Sequence, residues 1–226
     1  MSRIIVKICG LKRKTDVRLC MNLGVDILGF VTEYPIPVPW NLRRQEAVPL
    51  LELVYPPYRS CLVTGGTPEK VIELASSLRP SMVQLHYKET LKDTIIISDA
   101  LRQLDIDVIK TVPMRVEDRM VQFGTSDTET IVAKLCTTSL YGLLADSRGP
   151  ANASEGGTPL DLDFSARIIN VSSKPVIIAG GINAENVRSV IDKTGAKYID
   201  IMTGVEAGPG AKDAALLSRL LASIRH

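Results

Sequence analysis

The sequence has few of the residues that build metal sites or disulfide frameworks. Its 226 residues include 4 cysteines and 2 histidines, and the cysteines are far apart, with no Cys-x-x-Cys pair. Structural zinc sites and disulfide-rich domains both need several such residues at close spacing. We therefore predict no metal site and no disulfide, and we expect the thiols of this chain to be reduced.

The sequence also lacks a large excess of charge of either sign and has no long apolar run. The formal net charge is +2, from 27 basic and 25 acidic residues spread along the chain, so no nucleic-acid or anionic membrane partner is indicated. No window approaches the roughly 18 consecutive apolar residues of a membrane-spanning helix. The first residues, MSRIIVKICGLKRK, lack a signal cleavage site. We expect a cytoplasmic protein without membrane segments.

Short β-rich runs alternate with amphipathic helical patterns along the whole chain. Helix starts are predicted at Asp16 and at Thr67-Pro68, and helix ends at Gly24 and Gly195. The runs predict eight strands, at 3–8, 26–31, 60–64, 82–86, 107–112, 142–146, 175–179 and 198–202.

Eight strand-then-helix units predict an α/β fold in which a parallel sheet is covered by helices. Because the strand runs are mostly continuous in hydrophobicity, both faces of the sheet should be buried. The count favours a single (β/α)8 TIM barrel domain over residues 1–226. An open doubly wound sheet is the alternative. That fold normally carries a Gly-x-Gly-x-x-Gly motif after its first strand, and KICGLKRK has none.

Two glycine-rich segments follow the last two predicted strands, AGGINAENV and MTGVEAGPGAKD. Glycines let backbone N–H groups approach an oxyanion, and a helix beginning near Asn183 or after Thr203 would point its positive end there. TIM barrels commonly bind phosphate at this position. The predicted phosphate-binding residues are Gly180, Gly181, Thr203 and Gly204. The alternative is that these glycines only make tight turns.

Seven segments together resemble the phosphoribosylanthranilate isomerase family. In order they are KICG, GVDILGFV, QLH, LLAD, GGT, AGGINAENV and TGVEAGPGAKD, and the resemblance runs over the whole chain. It implies a TIM-barrel enzyme of tryptophan biosynthesis that needs no cofactor and acts on a small phosphosugar. The reaction is an Amadori rearrangement, which opens the ribose ring and moves a proton from the sugar C2.

The resemblance implies that Cys9 is the general base and Asp146 the general acid. These roles suit their positions, because strands 1 and 6 face one another across a barrel mouth. A thiol base needs nearby positive charge, and Lys7 lies on the same strand face. The alternatives are that Cys9 is a small buried hydrophobe and that Asp146 caps a loop.

Other polar residues are also predicted to reach the barrel interior by strand alternation. Lys7, Lys110 and Asp200 are explained equally well by a structural ion-pair cluster, and we do not assign them catalytic roles. His86 fits a hydrogen-bonded strand-end residue better than an acid or a base.

The departures from the family pattern lie on the substrate side. The segment after strand 2, VTEYPIPVPWNLRR, lacks the Ser-Pro-Arg whose arginine can hold the anthranilate carboxylate. Arg43, Arg44 and Arg148 are the candidates to replace it, since a guanidinium pairs with a carboxylate at two points. Trp40 and Tyr34 are candidates to stack on an aromatic ring.

Further departures are a tyrosine after QLH where the family has a glycine, a proline after GGT and a threonine in place of a serine. The residues concerned are Tyr87, Pro159 and Thr203. Three functions therefore remain open: the isomerase itself, a related isomerase acting on another phosphoribosylated amine, and a phosphosugar-binding barrel without turnover. We expect a monomer or a homodimer.

Overall fold

Eight parallel strands close into a barrel in sequence order. The computed structural model describes residues 3–147 and 160–225. The barrel confirms the predicted TIM fold, and every predicted strand is present within two residues. The strands are β1 Ile5–Ile8, β2 Ile27–Val31, β3 Arg59–Thr64, β4 Met82–Leu85, β5 Asp107–Pro113, β6 Gly142–Asp146, β7 Val176–Ala179 and β8 Tyr198–Ile201.

Helices follow the strands and cover the outside of the barrel. Within 3–147 and 160–225 they are α1 Lys14–Asn22, α2 Arg44–Leu51, α3 Pro68–Leu78, α4 Leu91–Arg102, α5 Val116–Phe123, α6 Thr128–Cys136, α7 Leu162–Val171, α8 Val187–Thr194 and α9 Ala214–Arg225. The Thr67 side chain caps α3 by accepting from Lys70 N. Asp16 was wrongly predicted as a helix start: it lies in the first turn of α1, where Arg13 donates to it at 2.8 Å.

The strands are buried on both faces, which explains their continuous hydrophobicity. In β2 all five residues are buried. Ile27 and Val31 pack with the residues inside the barrel, whereas Leu28 and Phe30 pack in the layer between sheet and helices. Each strand therefore contributes alternate side chains to two separate cores.

The carboxyl ends of the strands meet at one mouth. Strand pairing aligns Asp146 with Ala179, Ala179 with Asp200, and Asp200 with Lys7. Cys9 follows β1 directly, and its backbone N–H donates to Ile201 O at 2.9 Å. The sequence-distant ends of β1, β6, β7 and β8 are thus neighbours in the fold.

The segment after β8 differs from the expected helix. A single 3-10 turn, Thr203–Val205, leads into a small antiparallel pair, β9 Glu206–Gly208 and β10 Ala211–Lys212, before α9 begins. The Gly-Pro-Gly at 208–210 cannot continue a helix. The expected helix near Asn183 begins instead at Val187, because the Asn183 side chain accepts from Glu185 N at 2.9 Å and forms a turn first.

Candidate active site

A cavity opens at the mouth of the barrel, and Cys9 and Asp146 both line it. The structure thus brings together the two residues predicted as base and acid. The other described lining residues come from five different strands or the loops after them. They are Val31, Tyr34, Val38, Trp40, Val63, Gln84, His86, Ala179, Asp200 and Met202.

Cys9 is a buried thiol beside a buried ammonium. It is 5% exposed, and Gly29 leaves the room it needs, since a Cβ on Gly29 would lie 3.0 Å from Cys9 Sγ and 3.1 Å from Lys7 Nζ. Burial raises the pKa of Cys9, and the Lys7 charge offsets this only in part. Cys9 is therefore a neutral thiol at pH 7 in the free protein.

Lys7 and Lys110, which we expected in the barrel interior, lie in two separate buried ion pairs. Lys7 donates to Asp200 Oδ2 at 2.8 Å, and Lys110 donates to Glu89 Oε2 at 3.0 Å. Burial is the largest single influence and would lower the pKa of Lys7, but the Asp200 carboxylate, together with Cys9 and Cys61, outweighs it and the pKa is raised. Lys7 stays charged next to Cys9.

His86 faces the predicted acid. Its Nε2 lies 3.7 Å from Asp146 Oδ2, while its Nδ1 lies 3.2 Å from Gln84 Nε2 and 3.0 Å from Thr111 Oγ1. An amide nitrogen can only donate, so we assign Nδ1 as the acceptor and place the ring proton on Nε2, towards Asp146.

Sequence reasoning assigned no role to Gln84 or Thr111. The available signal was alternation, because Gln84 lies two residues before His86 on β4 and so shares its face.

The segment after β2 supplies an aromatic wall to the cavity. Trp40 Nε1 donates to the Glu206 carboxylate at 3.0 Å, and Tyr34 Oη donates to His86 O at 2.7 Å. The Trp40 ring packs on Gly10, where a Cβ would lie 2.7 Å from its Cδ1. Both predicted stacking residues are therefore held at the mouth by hydrogen bonds.

Arg43 and Arg44 do not reach the cavity. Arg43 has a 73% exposed side chain and pairs with Glu46 at 2.9 Å. Arg44 donates from both Nη atoms to Glu73 at 2.6 Å. Both residues lie at the start of α2, and their ion pairs with Glu46 and Glu73 hold their side chains at the protein surface. The remaining carboxylate candidate, Arg148, lies outside the described residues, as do the GGT segment and Pro159.

The two predicted phosphate loops pack against each other beside the cavity. A Cβ on Gly204 would lie 2.0 Å from Ile182 O, so only glycine fits between the loops. Gly180 and Gly181 have positive φ angles of 107° and 61°. The structure brings these three glycines and Thr203 together next to Ala179 and Met202, which line the cavity. Phosphate binding itself stays a prediction.

Within residues 3–147 and 160–225, no group of three or more His, Cys, Asp or Glu side chains is placed to hold a metal ion. None of the helices in these ranges has the length and apolar character to cross a membrane.

Comparison with known proteins supports one family. The sequence model of N-(5'-phosphoribosyl)anthranilate isomerase matches residues 6–223. The chain belongs to the phosphoribosylanthranilate isomerase family. An N-(5'-phosphoribosyl)anthranilate isomerase of Xanthomonas euvesicatoria is 31% identical over 227 residues, covering 98% of this chain and 93% of that protein.

Solved structures of this family have the same fold. The phosphoribosyl anthranilate isomerase of Thermotoga maritima is 26% identical, with a TM-score of 0.78 and 98% of each chain covered. Another solved isomerase, in complex with reduced 1-(o-carboxyphenylamino)-1-deoxyribulose 5-phosphate, is 25% identical, with a TM-score of 0.75 and 98% of each chain covered.

Proposed function

We propose that this protein catalyses the Amadori rearrangement of N-(5-phosphoribosyl)anthranilate to 1-(2-carboxyphenylamino)-1-deoxyribulose 5-phosphate, a step of tryptophan biosynthesis. The observation that carries the proposal is the shared cavity of Cys9 and Asp146, beside two interlocked glycine loops. Family membership over residues 6–223 supports the same activity. A site used only for binding has no need of an acid and a base on opposite sides.

In the first step Asp146 protonates the ribose ring oxygen. The C1–O bond breaks, and the nitrogen lone pair forms the C1=N double bond of an iminium. His86 supports this step, because its Nε2 lies near Asp146 Oδ2 and its orientation is fixed by Gln84 and Thr111.

In the second step Cys9 removes the proton from C2. The C–H electrons form the C1=C2 bond, and the iminium electrons return to nitrogen to give the enolamine. No cofactor is required, since the iminium acidifies the C2 proton. Cys9 must first lose its own proton to solvent. The pKa of Lys7 is raised, so its ammonium is charged and stabilises the thiolate that then accepts the C2 proton.

The substrate phosphate is held by Gly180, Gly181, Thr203 and Gly204 in this proposal. The positive φ angles of Gly180 and Gly181 turn the backbone sharply after β7, and turns of this kind present N–H groups to an anion. For the anthranilate carboxylate we propose Arg148, which follows Asp146 by two residues. Arg43 and Arg44 are engaged by Glu46 and Glu73.

One observation favours a second candidate function, the same isomerisation with a different amine. The wall formed by Tyr34, Val38 and Trp40 is largely apolar, and the two described arginines near it point away. An aromatic amine without a carboxylate suits such a wall.

The deciding experiment is turnover of synthetic phosphoribosylanthranilate, followed by loss of its fluorescence. The wild type should turn it over, and both Cys9→Ala and Asp146→Asn should lose at least 1,000-fold in kcat, about 4 kcal/mol. Arg43→Ala is the control and should match the wild type. Full activity of Cys9→Ala refutes the assigned base. If the wild type binds phosphosugars but does not turn over phosphoribosylanthranilate, the remaining candidate function is a phosphosugar-binding barrel without catalysis.

We further propose that the protein acts in the cytoplasm, as a single-domain monomer or homodimer. All four cysteines are free, as suits a reducing compartment. A related isomerase of Thermotoga maritima is described as dimeric, with monomeric forms generated from it.

A further inference from the structure

Asp200 has one carboxylate oxygen paired and the other open. Its Oδ2 accepts from Lys7 Nζ at 2.8 Å, whereas its buried Oδ1 has no hydrogen-bond partner within the described residues. Asp200 is only 8% exposed and lines the same cavity as Cys9 and Asp146. A buried acceptor without a donor costs free energy. An open carboxylate oxygen at a cavity wall is therefore suited to a ligand donor.

The second buried ion pair of the barrel interior has no such open carboxylate oxygen. Glu89 is 2% exposed, and both of its oxygens are satisfied. Oε1 accepts from Gly66 N at 3.1 Å, while Oε2 accepts from Tyr87 N at 3.2 Å and from Lys110 Nζ at 3.0 Å. Glu89 does not line the cavity. A purely structural pair in this barrel is thus completed by protein groups alone.

Strand register places Asp200 between the base and the acid. On one side it aligns with Lys7, two residues before Cys9 on β1. On the other it aligns with Ala179, which aligns in turn with Asp146. The small Ala179 side chain leaves the space between the two carboxylates open. A group bonded to the carbon that Cys9 deprotonates lies within reach of Asp200.

We propose that Asp200 is a substrate-binding residue whose Oδ1 accepts a hydrogen bond from the C2 hydroxyl of the open-chain sugar. This inference rests on the proposed function and adds a specificity contact to it. The contact holds C2 in front of Cys9 without making or breaking a bond, and Lys7 acts as the positioning residue behind it. In the keto product the C2 oxygen is a carbonyl that cannot donate. The contact is then lost, which favours product release.

The test compares two unreactive ligands by calorimetry with the full chain. One is 1-(2-carboxyphenylamino)-1-deoxyribitol 5-phosphate, which carries the C2 hydroxyl, and the other is its 2-deoxy counterpart. The wild type should bind the hydroxyl form about 10- to 100-fold more tightly, as expected for a hydrogen bond to a charged group. The variant Lys7→Met/Asp200→Leu removes both charges together and should bind the two ligands within about threefold.

A matched control removes the charges of the other pair, Lys110→Met/Glu89→Gln, and should keep the full preference for the hydroxyl. A structural role for Asp200 would weaken both ligands equally, so an unchanged preference in Lys7→Met/Asp200→Leu refutes the proposal. The wild-type comparison needs no variant: a preference below threefold refutes it even if the double variant does not fold.

The same measurements separate this inference from the proposed function. If the wild type turns over phosphoribosylanthranilate but binds the two ligands equally well, the Asp200 proposal is refuted and the proposed function stands. Absence of both turnover and binding ends the proposed function, and the Asp200 proposal with it.

Discussion

The ionisation of Cys9 yields the sharpest prediction, tested by replacing the neighbouring Lys7 with methionine. Burial raises the pKa of the thiol above its ordinary value of 9.0, and Lys7 holds it lower than burial alone would. Because only the thiolate reacts with iodoacetamide, the alkylation rate of Cys9 in the wild type, quantified on its peptide by mass spectrometry, should rise about tenfold per pH unit from pH 7 to 9.

Removing the Lys7 charge should move this rise to higher pH. A neighbouring opposite charge shifts a pKa by roughly 1–3 units, so Lys7→Met should lose about 10- to 1,000-fold in kcat/KM at pH 8. It also leaves the Asp200 carboxylate unpaired and buried, which costs about 3–5 kcal/mol of unfolding free energy. Urea unfolding should therefore confirm that the variant is folded under assay conditions.

Lys110→Met is the matched control for Lys7→Met. It removes an equally buried lysine from an ion pair and should reduce stability without moving the pH profile. A second readout is kcat/KM, which also depends on the protonation of Asp146 and is therefore compared between the variants at a single pH. A wild-type alkylation rise centred below pH 8, or identical alkylation profiles for Lys7→Met and wild type, would refute this account of the base.

Three further substitutions test the loops around the cavity. Gly204→Ala places a methyl 2.0 Å from Ile182 O, so we expect a loss of about 1–3 kcal/mol in urea unfolding and a raised KM; an unchanged KM contradicts the phosphate role. Trp40→Phe removes a hydrogen bond to Glu206 and should lower the free energy of unfolding by about 1.5–3 kcal/mol. An unchanged free energy of unfolding would contradict the anchoring role of Trp40. Arg44→Ala should leave KM within about twofold, and a tenfold increase would place it at the substrate.

Much of the fold and part of the site follow from local sequence. The eight strands were predictable because each is a short apolar run bounded by turn residues, and the barrel followed from their number. The positions of Cys9 and Asp146 were predictable because Cys9 follows β1 directly, Asp146 ends β6 and the carboxyl ends of barrel strands share one mouth, whereas their roles came from the resemblance to the family. The glycine loops were predictable because their positive φ angles and close contacts require glycine.

Tertiary structure decided how the sequence-distant charged residues are partnered. Arg44 is near the site in sequence, yet Glu73 of α3 holds it at the surface, whereas the pair of Arg43 with Glu46 is local. Lys7 pairs with Asp200, which is 193 positions away in the sequence, because β1 and β8 are adjacent in the closed barrel.

The sequence by itself determined which strands form and which residues stand at their ends, because backbone periodicity and turn chemistry act over a few neighbours. Burial, ion pairing and the raised pKa of Cys9 arise only when β1 closes against β8. Desolvation and Coulomb interactions depend on distances through space, and those distances exist only in the closed barrel.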